Sequence, residues 1–107
     1  MKKRRAPDKP VCFFGKIRFE FFNNDDEEFK VRTLKSLAKE VRKEINISCL
    51  PIEEGEVANP ERGTLVISCV ATHHDQGKAA LDRAMAFLDG KAPARILFEE
   101  FEEAEIT

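Results

Sequence analysis

The stretch 26–46, DEEFKVRTLKSLAKEVRKEIN, constrains the fold more than any other part of the chain. At 100° per residue, Val31, Leu34, Leu37, Ala38, Val41 and Ile45 fall within an apolar arc of roughly 120°. Arg32, Lys35, Lys39, Arg42 and Lys43 share an arc of about 100° on the far side. The pattern predicts one amphipathic helix, with one face built for a core and the other a cationic stripe. Asn23–Asp26 supply turn and N-cap residues. Asp25, Asp26, Glu27 and Glu28 load the first turn with negative charge, and Arg42 and Lys43 sit near the last. That order complements the helix dipole, so the acidic run needs no bound metal to explain it.

Strand patterns flank this helix. In Val11–Phe22, residues Ile17, Phe19 and Phe21 alternate with Lys16, Arg18 and Glu20, which marks a strand with one face on a core. Phe14 and Phe22 share the polar parity and are expected to lie under the N-terminal arm or the far end of the chain. Ile47–Ile52 reads as a strand carrying Pro51, which places it at an edge or at a bulge. Glu53–Gly63 is a turn-rich connection, a long hairpin loop or a flap. Thr64–Thr72, rich in β-branched residues and without a charged one, suits a central strand. A second helix is expected over roughly 75–89, with Thr72 or Asp75 as N-cap and Gly90 as its stop. Leu81, Ala84, Met85 and Leu88 form its apolar face. Ala94–Ile106 is a last strand, apolar at first and then dense in glutamate, as befits an edge guarded by charge.

The order β-α-β-β-α-β predicts a ferredoxin-like α+β fold: a four-stranded antiparallel sheet with two helices on one face. Right-handed crossovers put strands one and three in the middle. At 107 residues the chain suits a single domain over 11–107, preceded by a flexible basic arm, residues 1–10. A chain of this size can bury a core without disulfides or metals. Cys12, Cys49 and Cys69 are too far apart in sequence for a CxxC pair and read as reduced, structural thiols. There is no secretory segment and no long apolar run, so a soluble cytoplasmic protein with no membrane association is expected.

Lys35-Ser36-Leu37, then Asn46-Ile47-Ser48 at helical spacing, and LDRAMAFLDG at 81–90 together resemble the YlxP-like family of small bacterial proteins. The resemblance covers roughly 15–106 and rests on order and spacing. In that family a basic SLKEKR-type segment stands where this chain has Asp26–Arg32, of which only Lys30 and Arg32 are basic. Its NVSVAEV-type strand becomes NISCLPI here, without the acidic residue. The resemblance implies a ferredoxin-like fold and a biochemical role that is unassigned. The resemblance also implies a grouping with ribosome-maturation and translation factors, a hint of RNA that carries no mechanism.

The chemistry of the chain offers little else. Net charge is −2, so any nucleic-acid binding must come from a local patch. A base-stacking surface of the RNA-recognition type needs aromatics on strands one and three. The third strand begins with the suitable pair Arg62-Gly63, but Thr64, Val66 and Cys69 stand where aromatics are needed. Strand one offers only Arg18 or Phe14. His73-His74-Asp75 lacks a third ligand at metal-binding spacing and suits a loop and cap. No phosphate loop, nucleophile elbow or paired-carboxylate site is evident, so neither an enzyme nor a cofactor is expected. The leading expectation is RNA or ribosomal-subunit association through Lys35, Lys39, Arg42 and Lys43, helped by Arg4 and Arg5. The alternative is a protein-interaction or homodimer module using an edge strand or exposed phenylalanines.

Overall fold

The structure is a computed structural model and describes residues 7–107. Its elements are β1 (Val11–Glu20), α1 (Glu27–Ile45), β2 (Ser48–Ile52), β3 (Arg62–Ala71), α2 (His74–Lys91) and β4 (Arg95–Glu105). The sheet order is β2-β3-β1-β4 and every pairing is antiparallel. Both helices lie on one face, α1 on β2 and β3, and α2 on β3 and β1. This is the ferredoxin-like arrangement. Pro51 falls on the short edge strand β2, where a missing ladder donor is tolerated.

Local sequence sets the ends of α1. The Asp26 carboxylate accepts the backbone N–H of Phe29 at 3.1 Å, with Glu27 and Glu28 in the first turn. At the other end Asn46 adopts φ 60°, and its N–H donates to the carbonyl of Arg42 at 3.2 Å. Asparagine tolerates this left-handed backbone, which closes the helix and turns the chain into β2.

The ends of α2 depart from expectation. His73 occupies the N-cap position and makes no side-chain cap bond. Thr72 is instead engaged by Gln76, whose Oε1 accepts the Thr72 N–H at 2.7 Å and its hydroxyl at 3.0 Å. At the far end Gly90 lies inside the helix, which runs to Lys91. Ala92, at φ −71° and ψ 131°, is extended as a residue before proline must be. Pro93 thus ends α2, and Gly90 does not.

The core lies between the helices and one face of the sheet. Ile17, Phe19 and Phe21 meet Leu34, Leu37 and Val41 of α1 and Leu81, Ala84 and Leu88 of α2 within it. β4 reaches this side differently. Gly15 pairs with Phe101, and a Cβ on Gly15 would collide with the Glu100 carbonyl and the Phe101 ring. Glycine here lets Phe101 fold over β1 and pack against the core. The described part of the leading segment is tied down at two points. Lys9 N–H donates to Thr72 O at 3.0 Å, and Pro10 O accepts Ile106 N–H at 2.9 Å.

Phe14 and Phe22 are not covered as the sequence suggested. Phe14 is 41% exposed and Phe22 80% exposed. Phe14 stands on the sheet face opposite the helices, and Phe22 sits in the turn after β1, so neither is on the side where the core forms.

Candidate functional site

Two surfaces on opposite sides of the molecule carry unusual chemistry. The first is the outer face of α1. Its amphipathic pattern turns Leu34, Leu37, Ala38 and Val41 into the core, which leaves Lys35, Lys39, Arg42 and Lys43 exposed. Among the described residues, Lys35, Lys39 and Lys43 make no ion pair and no side-chain hydrogen bond. They follow one another at i, i+4 and i+8, a spacing at which like charges repel by a few tenths of a kcal/mol per pair. Glu40 and Glu44 are exposed on the same helix and bridge to none of them. The two arginines of the stripe are bonded: Arg32 Nε donates to the carbonyl of Glu28 at 3.4 Å within α1, and Arg42 reaches beyond the helix. Its Nη1 donates to the carbonyl of Cys49 at 2.6 Å, which pins the end of α1 to β2. Arg4 and Arg5 lie outside the described residues.

Lys30 shows how differently a cation of α1 can be used. Its side chain is fully buried, with Nζ 2.8 Å from Glu27 and 3.1 Å from Glu53, and donating to Asn59 O at 2.9 Å. It is a tie between α1 and the loop after β2, and no part of the surface stripe. Sequence periodicity did not identify it, because its partners come from a loop far along the chain.

The second surface is the sheet face that carries no helix. Successive residues point to opposite faces, so β1 sends Cys12, Phe14, Lys16 and Arg18 there. Register sets Ser68 and Glu102 beside Phe14, and Val66 and Glu100 beside Lys16. Leu50 stands beyond Val66. Phe14, Val66 and Leu50 thereby floor a shallow groove of about 540 Å³, walled on one side by Glu100 and Glu102. No residue of β3 on this face is aromatic; its exposed rings are Phe14 of β1 and Phe98 of β4.

The cations of the open face are already engaged. Arg18 donates to Glu54 through Nε at 2.9 Å and Nη2 at 2.8 Å, and Lys16 Nζ donates at 3.2 Å. The Thr64 hydroxyl donates to the same carboxylate. Arg18 also lies 5.2 Å from the centre of the Phe98 ring. Hydrogen bonds from Arg18 and then Thr64 hold the Glu54 carboxyl well below the usual carboxylate range, outweighing its desolvation. Glu53 therefore fastens the loop to α1 through Lys30, and Glu54 fastens it to the sheet. The connection is a long hairpin loop anchored at its start.

His74 Nδ1 lies 2.6 Å from Glu103, and its ring packs 5.7 Å from that of Phe13. Among the described residues no group of three or more metal-ligating side chains converges. All three cysteines are free thiols, and burial pushes that of Cys49 up to about 11. No described helix is long and apolar enough to cross a membrane.

Solved structures similar to the chain include two de novo designed proteins. Foldit4 is 17% identical over 92% of this chain and 98% of its own, with a TM-score of 0.48. Ferredog-Diesel is 12% identical over 97% and 92%, with a TM-score of 0.36. A REP-associated tyrosine transposase bound to a REP hairpin is 13% identical over 100% of this chain and 62% of its own, with a TM-score of 0.38. No curated protein matches the chain. A family described as "Protein of unknown function (DUF503)" matches residues 29–101, from the first turn of α1 to within β4. That match spans both helices and the hairpin between them, and the chain belongs to the DUF503 family.

Proposed function

We propose that this protein is a cytoplasmic, non-enzymatic RNA- or ribosome-associated protein that engages phosphates through the outer face of α1. The observation that supports this reading is the run Lys35, Lys39 and Lys43, three exposed ammonium groups on one line of a helix with no anionic partner among the described residues. An ordinary solvated helix face pairs such lysines with glutamates at i,i+4. Here the like charges stand in sequence, and a polyanion would relieve their repulsion. Arg42 adds charge from a fixed position, since its guanidinium is held on the Cys49 carbonyl. Contacts of this kind follow the backbone and read no sequence.

The experiment is co-sedimentation with ribosomal subunits and direct binding to total RNA at two salt concentrations. Four phosphate contacts to single-stranded RNA predict an affinity loss of about 50-fold between 50 and 200 mM salt. Replacement of Lys35, Lys39 and Lys43 by glutamate should abolish the association while leaving the helix folded. Binding that survives the triple replacement, or that ignores salt, would refute this reading.

A further inference from the structure

The sheet has helices on one face only, and the uncovered face is not uniformly polar. Leu50 is 58% exposed there, beside Val66 and Phe14. Contiguous apolar surface of this kind marks an interaction site more often than chance exposure of single residues does. Its acidic wall is equally unresolved. Glu102 makes no hydrogen bond or ion pair among the described residues, and Glu100 interacts only through space with Arg18. Of the face's own cations, Lys16 lines the groove and Arg18 lies beyond it, and both ammonium and guanidinium are paired with Glu54, leaving Glu100 and Glu102 without an ion pair among the described residues.

We infer that this groove is the docking site of a cationic amphipathic helix from a protein partner. Its apolar side would lie on Phe14, Val66 and Leu50, and its lysines or arginines would face Glu100 and Glu102. Dimensions favour a helix. From β2 to β4 the sheet spans three strand spacings, about 14 Å. A helix about 10–12 Å across covers β2, β3 and β1 and brings one flank over β4. It would complete a third layer on a sheet that now has two.

Charge selects among the possible occupants. A second copy stacked about a two-fold axis along the strands would set β4 over β2, placing Glu100 and Glu102 on Leu50 and its neighbours. With the axis across the strands, β4 would lie on β4, glutamate toward glutamate. Either arrangement buries carboxylates without partners. A nucleic acid would meet like charge at the same wall. The chain's own basic segment, Lys2–Arg5, has no apolar stripe for the floor.

The test uses the full-length protein and two synthetic 18-residue peptides. One carries leucine on one helical face and lysine on the other; its control has glutamate in place of lysine. Titration calorimetry should show the lysine peptide binding at least about tenfold tighter than the control, a gap of about 1.4 kcal/mol. Leu50→Asp should weaken it about tenfold or more. Glu100→Lys with Glu102→Lys should reverse the preference between the two peptides. Asp89→Lys, an exposed change on α2, should leave it intact. Circular dichroism checks folding, and Leu50→Thr provides a strand-compatible second variant. If neither the Leu50 nor the glutamate variants alter peptide affinity, the inference is wrong. It is equally overturned if Leu50→Asp abolishes a solution dimer, or if poly(U) binding rather than peptide binding depends on these residues.

Discussion

The Nζ of Lys30 lies 3.1 Å from Oε1 of Glu53, and this pair joins the first turn of α1 to the loop that leaves β2. Glu27 and the Asn59 carbonyl complete the set, so three acceptors meet the three donors of one ammonium group. A cation taken wholly out of water needs such a set.

Lys30→Met keeps the length of the side chain and removes those bonds. Losing one partner of a fully buried ion pair costs about 3–5 kcal/mol. Glu53 is 45% exposed and can return to water, so the loss expected here is smaller, about 1–3 kcal/mol. Urea denaturation should show the midpoint falling with little change in slope. The same change at the exposed Lys39 should shift stability by no more than about 0.5 kcal/mol.

The latch on the opposite face makes stability depend on pH. The Glu54 carboxyl is held below its usual range by Arg18 and Thr64, so its folded value lies under the unfolded one of about 4.3. Between those values the unfolded chain binds more protons, and stability rises with pH. The contribution is complete above the unfolded value and is lost as pH falls through the depressed one. Denaturation midpoints measured from pH 6 down to 2.5 should decline more steeply for the native protein than for Glu54→Gln. Parallel curves would show that Glu54 contributes nothing to this dependence.

Gly15→Ala tests the close passage of β4 over β1. The added methyl would meet the Glu100 carbonyl and the Phe101 ring, and backbone cannot step aside as a flexible side chain can. Overpacking of this kind costs about 1–3 kcal/mol or more. Gly90→Ala, where nothing lies within 4 Å, should be neutral or stabilising, since alanine is the better helix former. Thermal melts should therefore fall for Gly15→Ala and hold or rise for Gly90→Ala.

These residues also mark where sequence was informative. The N-cap of α1 was legible within Asn23–Asp26 because capping is decided within a few residues of the helix end, whereas the left-handed close at Asn46 emerged from the backbone alone. The sheet order followed from the β-α-β-β-α-β order with right-handed crossovers, and Pro51 in strand two and the acidic run in strand four agreed with it, because edge strands differ in composition from central ones. Lys30 was not legible, since helical periodicity assigns a lysine to solvent unless a distant loop supplies acceptors. The stop of α2 was misread because Gly90 is permissive, whereas Pro93 is restrictive and constrains Ala92 before it. The cationic stripe could be drawn from spacing alone. That Arg42 is tied to Cys49 while Lys35, Lys39 and Lys43 find no partner among the described residues depends on where β2 lies, which spacing does not contain. The open-face groove was invisible for the same reason, since register across four strands brings Leu50, Val66, Phe14 and Glu102 together.

Thiol chemistry gives the last prediction. Cys49 is buried against α1, and desolvation pushes its thiol up to about 11, with Arg42 only partly offsetting. Cys69 is also buried, and desolvation raises its pKa. Cys12 is half-buried and stands on the open face beside Ser68. The thiolate is the reactive form, so a thiol that is both buried and raised should resist alkylation. Native protein treated with iodoacetamide at pH 8 should therefore gain one adduct, at Cys12, and three after unfolding in urea. Mass spectrometry of the digested protein reads the positions directly. An adduct at Cys49 before Cys12 would mean that β2 leaves α1 readily, and that the edge of the sheet is less firmly closed than the Arg42 bond implies.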